Sequence, residues 1–413
     1  MNLYIFNENR RAAMFGVGTY IRELTMALQN SNSVINVVNL RQDNPQIQID
    51  EIEGINYWSI PKPVFEKKKV DNNKQNELYS RNIVYLLQLH INDKTDLVFH
   101  LNNNQSRTLA EELKKAFDCR VIMTVHYFDW CLRLFGNVSR FRKLLTTQEA
   151  DQEDKLEKTV KDLYCEEKEF FELVDHIICL SKNTQQILQK DYQINPEKTT
   201  VIYNGLTDSI QSSDKQRLRQ KYHISDIPVI LFAGRLDEIK GLTYLLRAFK
   251  IVLNKYPRCQ LIIAGNGIFD IYMKECEDIW MNITWTGLIS KDKLCDLYSI
   301  ADIGVMPSLY ESFGYVVVEM MLHNLPVITT VTSGLCEVVD NTCGIKIPVI
   351  EHPDSAEIDT GLLAEKMLYL LQHPEERERM GTNARKCYEI YFSGDIFRQS
   401  MLQLYESLND HNY

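Results

Sequence analysis

Two hydrophobic periods alternate along most of this 413-residue chain. Short continuous apolar runs, typical of buried strands, are followed by stretches with an apolar residue every three or four positions, typical of helices. Residues 3–6, 120–125 and 228–233 are runs of the first kind, and residues 242–256 give the clearest example of the second kind. The alternation predicts an α/β protein in which parallel strands are joined by helices.

The alternation occurs in two halves of similar length, and the polar residues 206–226 separate them. Two such halves predict two doubly wound, Rossmann-like domains that face each other across a cleft. We place the linker near residue 205, so that residues 1–205 form the first domain and residues 206–393 form the second.

Residues 310–319 form a predicted turn between a buried strand and an apolar helix, and they carry two carboxylates, Glu311 and Glu319. Ligands of open α/β sheets bind at the carboxyl ends of strands, where this turn lies. Eight residues span on the order of 12 Å in a helix, so the carboxylates cannot easily share a proton or a metal ion. They suit the two ends of an elongated polar ligand. Solvated surface charges are the alternative, which the apolar neighbours of Glu319 disfavour.

Arg235 and Lys240 lie between the predicted strand 228–233 and the helix that follows it. A cation at a helix N-terminus conflicts with the helix dipole, and a bound anion would remove that conflict. A guanidinium supplies a forked donor and an ammonium supplies a point charge, which together suit a pyrophosphate. The sequence therefore predicts a phosphate-binding loop, with a pair of surface cations as the alternative.

Candidate residues of the first half follow two predicted strands. Gly16 and Gly18 lie between the strand 3–6 and a helix, but they lack the third glycine of a dinucleotide fingerprint. A plain tight turn is therefore an equal alternative for them. His126 directly follows the strand 120–125, at the edge of the sheet where ligands bind, and this position favours a functional over a purely structural histidine.

Composition and charge exclude some classes of partner and some cellular locations. A formal net charge of −10 and a sequence pI of about 5.5 argue against a nucleic acid as partner. Ten cysteines without zinc-binding spacing predict buried, reduced thiols. No apolar run reaches the roughly 18 residues that a membrane span needs, and the N-terminus lacks the pattern of a signal peptide. We therefore expect a cytoplasmic protein.

One basic amphipathic stretch, residues 130–145, stands out from this acidic background. It mixes aromatic and aliphatic residues with four cations, Arg133, Arg140, Arg142 and Lys143. Such a stretch can contact an acceptor, or it can make peripheral contact with an anionic membrane surface, here the inner face of the membrane. A solvated helix or a lid is the alternative, which we favour slightly.

Together these motifs resemble those of the GT-B glycosyltransferases of family 4, which are retaining nucleotide-sugar transferases. Glu311 and Glu319 match the E-x7-E signature, residues 234–241 match a Gly-Arg-Leu…Lys-Gly loop, and residues 391–393 match the closing helix of that family. The resemblance covers nearly the whole chain and is strongest from residue 228 to 393. It implies a GT-B fold in which a final helix, within residues 394–413, packs back on the first domain.

The resemblance also implies roles for individual residues. The implied catalytic residues are Glu311, His126, Arg235 and Lys240. The implied donor-binding residues are Gly16, Gly18, Gly234, Arg235, Lys240, Phe313, Gly314, Glu319, Ser333 and Gly334. By this carry-over the two cations hold the donor diphosphate, Glu319 holds the ribose hydroxyls, and Glu311 contacts the transferred sugar. Phe313 and Gly314 offer backbone amides, and the loop at residues 333–334 closes on the donor.

The implied reaction is the retaining transfer of a hexosyl group from a nucleoside diphosphate sugar to a hydroxyl of a glycan, a lipid-linked saccharide or a peptide. No apolar strand ends in an Asp-x-Asp pair, so this hypothesis requires no metal ion, and the donor is a substrate rather than a cofactor. The family often has paired glycines where this chain has substitutions, at residues 16–18 and 333–334, so the identity of the donor stays open. A sugar-nucleotide epimerase and a non-catalytic GT-B-like partner protein are the alternatives.

Overall fold

The computed structural model describes residues 1–8, 16–29, 31–63, 72–146, 154–210 and 214–410. The chain forms two compact units, and each is built on its own β-sheet. The first unit comprises Met1–Asp129, Gln148–Gly205 and Gly394–Tyr413, and the second comprises Trp130–Thr147 and Leu206–Ser393. The basic stretch after residue 129 therefore belongs with the second unit, which the sequence analysis did not predict.

The first unit contains an eight-stranded sheet with helices between its strands. Its strands are β1 (Asn2–Glu8), β2 (Val34–Gln42), β3 (Gln48–Ile52), β4 (Ile55–Pro61), β5 (Leu97–Leu101), β6 (Cys119–Val125), β7 (His176–Cys179) and β8 (Thr199–Val201). Its helices, numbered in chain order, are α1 (Gly16–Leu28), α2 (Asn72–His90), α3 (Arg107–Ala116), α6 (Lys155–Leu173), α7 (Lys182–Lys190) and α16 (Gly394–Asp410). The strand order is β3-β4-β2-β1-β5-β6-β7-β8, and neighbours are parallel except β3 and β4.

The second unit contains a seven-stranded sheet. Its strands are β9 (Val229–Ala233), β10 (Gln260–Ala264), β11 (Ile283–Gly287), β12 (Ile303–Met306), β13 (Val327–Val331), β14 (Gly344–Glu351) and β15 (Ala356–Ile358). The remaining helices are α4 (Asp129–Leu134), α5 (Val138–Thr146), α8 (Lys215–Lys221), α9 (Leu242–Lys255), α10 (Asp270–Cys276), α11 (Lys291–Ile300), α12 (Tyr315–Leu322), α13 (Leu335–Val338), α14 (Thr360–Gln372) and α15 (Pro374–Cys387). The strand order is β11-β10-β9-β12-β13-β14-β15, and neighbours are parallel except β14 and β15.

Each sheet reverses its strand order once, between β1 and β5 in the first unit and between β9 and β12 in the second. At such a switch point the loops after two adjacent strands run to opposite faces of the sheet, which leaves a crevice beyond the carboxyl ends. The predicted α/β class with doubly wound sheets is confirmed, and the two switch points are where each unit offers a crevice for a ligand.

Burial of apolar residues stabilises both sheets. All five residues of β5 and all five of β9 are buried, as expected for strands covered by helices on both faces. The period read from residues 242–256 is confirmed in α9, whose buried residues are Leu242, Leu245, Leu246, Ala248, Phe249 and Val252. Each large apolar side chain buried in this way contributes about 1.5–3 kcal/mol relative to an exposed one.

The structure also contains elements that the sequence analysis did not predict. The antiparallel edge strands β3 and β15 and the short helices α10 and α13 are among them. The stretch 130–145 is two helices rather than one, because Phe135 and Gly136 have positive φ angles of 50° and 73° and break it. The helix α15 ends at Cys387 and continues as a π-helical turn, Tyr388–Phe392.

The ten cysteines are all free thiols. Five of them are buried, four are half-buried, and Cys165 is exposed. The prediction of buried thiols is thus correct for half of them. In the described part of the chain, no helix is both long and apolar enough to cross a membrane.

We expect Gly381→Ala to destabilise the second unit. Gly381 lies within α15 against the turn after α12, and a Cβ there would overlap the carbonyl oxygen of Asn324. Relieving such an overlap in a packed interior costs about 1–3 kcal/mol. The urea midpoint of the full chain, followed by circular dichroism, should fall accordingly. Gly361→Ala in α14 is the matched control, because the nearest atom to its Cβ would be a side-chain oxygen of Asp359 at 3.2 Å. An unchanged midpoint in Gly381→Ala would contradict the described packing of α15.

Candidate functional site

The loops after β9 and β12 form the core of the candidate site in the second unit. The two strands are parallel neighbours, with Ile230 opposite Ile303, so their carboxyl ends lie side by side. The loop after β9 carries Gly234, Arg235 and Lys240. The loop after β12 carries Glu311, and α12 begins at Tyr315. Lys240 and Glu311 are 71 residues apart in the sequence, yet their two motifs follow adjacent strands.

Backbone contacts bring these two loops close together. The amide of Leu309 donates to the carbonyl of Ile239, with a nitrogen–oxygen distance of 2.8 Å. Gly241 has a φ of 70°, and a Cβ at this position would overlap the carbonyl oxygen of Pro307. Only glycine meets both demands at low cost. The approach places the Lys240 ammonium in an ion pair with the Glu311 carboxylate, and both side chains are mostly buried.

The Ser333–Gly334 loop joins the same cluster. The amide of Gly334 donates to the carbonyl of Glu311 at 2.9 Å. A Cβ at Gly334 would overlap the carbonyl oxygen of Ser312, so the two loops touch through their backbones. Four residues predicted from separate motifs, Lys240, Glu311, Ser333 and Gly334, are thus assembled at one place.

Phe313 and Gly314 lie on the same loop. The Phe313 side chain is buried and its ring packs edge-on against that of Phe392, with centroids 5.7 Å apart. Gly314 is the residue that caps the N-terminus of α12. The first amides of a helix have no partner within it, so this is a position from which backbone donors can serve a ligand.

Glu319 occupies a different environment from Glu311. It lies in the second turn of α12, and only 7% of the residue is exposed. Its carboxylate is in an ion pair with Lys291 and accepts a hydrogen bond from the Tyr298 hydroxyl at 2.6 Å. Burial and the Glu319 charge raise the pKa of Tyr298 well above its ordinary value, so the phenol remains a donor.

Lys291 and Tyr298 were not identified from the sequence. Both come from α11, 28 and 21 residues before Glu319. A buried carboxylate needs a partner, so the apolar neighbours of Glu319 were a signal that a partner exists. Nothing in the spacing indicated which residue it would be.

Arg235 lies in the loop after β9 and is in an ion pair with Asp237, with Nε and Oδ2 3.1 Å apart. The loop itself is anchored to the next one, because Gly234 N donates to Ala264 O at 2.9 Å and Leu236 N donates to Asn266 O at 3.0 Å. Each of the two predicted phosphate-binding cations thus has a carboxylate neighbour. An ammonium has three donors and a guanidinium has five, so both keep donors for an anion beside the carboxylate.

His126 lies in the first unit and is held by Asn102. The Asn102 amide nitrogen donates to Phe6 O at 3.2 Å, so its oxygen faces His126 Nε2, 3.0 Å away. An oxygen acceptor requires that Nε2 carries the proton, which leaves Nδ1 as an acceptor. Burial lowers the pKa of His126 to about 3, so the ring is neutral at physiological pH.

A buried network fixes the face of the His126 ring. The Tyr20 ring packs edge-on against it, with centroids 4.9 Å apart. The Tyr20 hydroxyl pairs with Thr124 Oγ1 at 2.9 Å, and His100 Nε2 pairs with the same oxygen at 2.7 Å. His100 Nδ1 in turn pairs with the hydroxyl of Tyr405 on α16 at 2.7 Å. The final helix of the chain therefore takes part in positioning a predicted site residue.

Glu167 of α6 holds the loop that follows His126. Its Oε1 accepts from the amide of Asp129 at 2.6 Å and from the side-chain nitrogen of Asn104 at 2.9 Å. Burial raises the pKa of Glu167 to about 8. Its immediate neighbours in the sequence are mostly charged, so no local pattern marks Glu167 as a buried residue.

Gly16 and Gly18 are the first and third residues of α1 rather than loop residues. Most of the predicted loop before them, residues 9–15, lies outside the described residues. In the basic stretch, the apolar side chains of α5, Phe141 and Leu144, are buried inside the protein, and Trp130 stacks on Phe141 at 3.9 Å. The apolar face that a membrane contact would use is thus engaged, and the membrane contact stays a prediction.

Two family sequence models match the chain in succession. One, described as Glycosyltransferase Family 4, matches residues 15–209, and the other, described as Glycosyl transferases group 1, matches residues 214–387. Sucrose-phosphate synthase from Thermosynechococcus elongatus shares the fold, with a TM-score of 0.77 at 20% identity over 99% of both chains. The chain belongs to the GT-B glycosyltransferases of the family 4 type.

Relatives within this family are distant. Alpha-D-kanosaminyltransferase of Streptomyces kanamyceticus is 26% identical over 53% of this chain and 58% of that protein. Other curated relatives are matched over 58% and 65% of their length, so the chain spans about three fifths of the relatives it resembles in sequence. HepE of Anabaena, solved in complex with UDP and glucose, has a TM-score of 0.69 at 16% identity and covers 98% of this chain and 99% of its own.

We expect the stability of the protein to fall with acid below pH 6.5, in part because of His126. Its pKa is about 3 in the folded chain and about 6.5 when unfolded, so between these values only the unfolded state binds the proton. The stabilisation is complete above pH 6.5 and is lost as the pH falls toward 3, at about 1.4 kcal/mol per pH unit. Urea unfolding at pH 5.0, 5.5 and 6.0 measures this slope.

His126→Gln removes the titrating group. The free energy of unfolding of this variant should therefore change less steeply with pH, by the contribution of one proton. The same change at His90, which is exposed at the end of α2, should leave the slope as it is. Equal slopes for His126→Gln and the unaltered protein would show that His126 is not buried as a neutral ring.

Proposed function

We propose that this chain transfers a hexosyl group from a nucleoside diphosphate sugar to an acceptor hydroxyl, with retention of configuration. The observation that carries the proposal is the contact between Lys240 and Glu311 at the switch point of the second sheet. It joins a cation suited to a diphosphate with a carboxylate suited to sugar hydroxyls. Family membership supports the same assignment.

The proposed role of Lys240 and Arg235 is electrostatic. When the bond between the sugar and the diphosphate breaks, negative charge develops on the leaving oxygen. Fixed cations and backbone amides aimed at that charge stabilise the transition state more than the ground state. The buried backbone contacts of the β9 loop hold both residues in place, which favours such preorganisation.

The two carboxylates have separate proposed roles. Glu319, fixed by Lys291 and Tyr298, would accept hydrogen bonds from the ribose hydroxyls. Glu311 would contact hydroxyls of the transferred sugar, and Lys240 would then turn toward the diphosphate. His126 of the first unit is a neutral ring, and the role that the family resemblance implies for it stays a prediction. Retention rests on the family resemblance alone, because no residue spacing in this chain shows it.

The donor and acceptor are proposed by class. HepE, which shares the fold, was solved with UDP and glucose, so UDP-glucose is a sensible first donor in a panel with GDP- and ADP-sugars. The acceptor would be a hydroxyl of a glycan, a lipid-linked saccharide or a peptide. The cations of residues 133–143 would help to hold a phosphorylated or lipid-linked acceptor if it is of that kind.

We expect Lys240→Ala to weaken binding of the preferred nucleotide sugar by about 10–100-fold. Hydrogen bonds from a charged donor are worth about 1.5–3 kcal/mol, and the ammonium would make one to the diphosphate. Titration calorimetry with the donor selected from the panel measures the loss. Lys250→Ala is the control, because Lys250 lies further along α9 and pairs with Asp278 on the surface. Wild-type affinity in Lys240→Ala would remove the donor loop from the proposal.

The panel also separates the alternative functions. An epimerase would convert or release the donor without any acceptor, whereas a transferase should release nucleoside diphosphate faster when an acceptor is added. A non-catalytic partner protein would not be stabilised by any nucleotide sugar and would release no nucleoside diphosphate.

We expect the two carboxylates to separate in binding assays. Glu319→Gln should weaken binding of the free nucleoside diphosphate and binding of its sugar conjugate by the same factor, about tenfold, because the ribose is common to both ligands. Glu311→Gln should leave the free diphosphate bound as well as before or more tightly, because Lys240 loses a competing carboxylate. Glu311→Gln should instead weaken binding of the sugar conjugate and lower kcat.

Glu365→Gln on the exposed face of α14 controls for the change in net charge. If Glu311→Gln weakened the free diphosphate as strongly as Glu319→Gln does, the division of roles between nucleotide and sugar would be wrong.

A further inference from the structure

A second cluster of chemically active side chains lies away from the candidate site. Asp340 and Cys343 belong to the turn before β14, and Cys387 is the last residue of α15. One carboxylate oxygen and the two sulfur atoms lie within 4.8 Å of one another. Among the described residues this is the one group of three or more such side chains with that convergence.

The turn holds Asp340 in a fixed orientation. Its Oδ1 accepts from Thr342 N at 2.7 Å, from Thr342 Oγ1 at 2.6 Å and from Cys343 N at 3.1 Å. The other oxygen, Oδ2, lies 3.6 Å from Cys387 Sγ. Hydrogen bonds that occupy one oxygen and aim the other are typical of the supporting shell of a metal ligand.

The distances suit a tetrahedral ion. Zinc binds sulfur at about 2.3 Å and carboxylate oxygen at about 2.1 Å, and two such ligands at a tetrahedral angle are about 3.6 Å apart. Oδ2 and Cys387 Sγ have that separation. Two thiolates and one carboxylate are ligands that a borderline-soft divalent ion accepts, with a solvent molecule in the fourth position.

We infer that Asp340, Cys343 and Cys387 form a binding site for a divalent metal ion of the zinc class. The inference goes beyond the proposed function, because no step of the sugar transfer uses it. The ion would join the turn before β14 to the end of α15, two segments that are 44 residues apart between their cysteines.

The place of the cluster in the sheet gives the ion a structural role. The donor-site residues follow the carboxyl ends of β9, β12 and β13, whereas Cys343 immediately precedes the amino end of β14. In a parallel sheet these are opposite edges. Cys387 leads into the π-helical turn, where Tyr388 Oη donates to Leu206 O at 2.8 Å and Leu206 N donates to Phe392 O at 2.9 Å. The second unit contains the segment Leu206–Ser393, and the two ends of this segment meet at these hydrogen bonds. A bound ion would therefore stabilise the chain next to this contact.

Cobalt(II) is the probe, because thiolate coordination gives it a charge-transfer absorption band that carboxylates alone do not give. The full chain is reduced, freed of metal with a chelator and titrated with Co²⁺, and then with Zn²⁺. We expect one cobalt ion per chain, a thiolate band that zinc abolishes, and a higher thermal midpoint with zinc. Cys387→Ser should weaken cobalt binding by well over tenfold, since even supporting residues contribute about 10–100-fold.

Two further variants separate ligand loss from misfolding. Asp340→Asn keeps the oxygen that orders the turn and removes the carboxylate charge. It should therefore weaken binding of the metal ion and leave the thermal midpoint of the metal-free protein unchanged. Cys165→Ser removes an exposed thiol and should leave the cobalt band intact. Cobalt affinity and band intensity in Cys387→Ser equal to those of the unaltered chain, or the absence of any band in the reduced chain, would overturn the inference. So would the finding that Cys343 and Cys387 form a disulfide in the protein as purified.

Discussion

The close approach of two backbones, at Gly241 and Pro307, is the constraint on which the candidate site depends. Strands β9 and β12 are neighbours only because the sheet reverses its order between them, and 69 residues of chain separate the end of one from the start of the other. At Gly241 no side chain fits between the loops. This contact sets Lys240 against Glu311 and fixes the distance between the groups assigned to the diphosphate and to the sugar. Any residue that pushed the loops apart would separate Lys240 from Glu311.

The basic stretch, residues 130–145, packs against the loop that carries Glu311. Trp130 and Phe141 stack and are buried, and the turn between α4 and α5 brings Gly136 so close to Tyr310 that a Cβ would overlap the tyrosine side chain. Tyr310 immediately precedes Glu311. Asn137 adds hydrogen bonds from its side-chain nitrogen to His352 O at 2.8 Å and to Ser355 O at 3.1 Å. A segment that composition marks as a surface patch is therefore part of the packing that holds the site loop.

Sequence could predict the parts of the site but not their assembly. Arg235, Lys240, Glu311 and Glu319 carry local signals, because each is a charge at a strand–helix junction or within an apolar helix. The ion pair between Lys240 and Glu311 depends on strand order, which no local pattern encodes. Lys291 and Tyr298 were missed for the same reason. The edge strand β3 was missed for a different one. All five residues of β3 are exposed, so it lacks the apolar period that reveals a buried strand.

The two carboxylates of the motif differ in a way that bears on mechanism. Glu319 is on a helix, is almost fully buried, and is held by a neutral phenol as well as by an ammonium. A buried charge with two fixed donors has little freedom to move, which suits recognition of a group that is the same before and after reaction. Glu311 is on a loop, and its side-chain partner is a lysine that can rotate toward phosphate. In the proposed reaction, the diphosphate would draw the Lys240 ammonium away from Glu311. The negative charge of Glu311 would then no longer be compensated, at the place where a sugar carbon becomes electron-poor. In the proposed reaction, the spacing of eight residues would thus separate a rigid binding group, Glu319, from Glu311, whose electrostatic environment would change as the reaction proceeds.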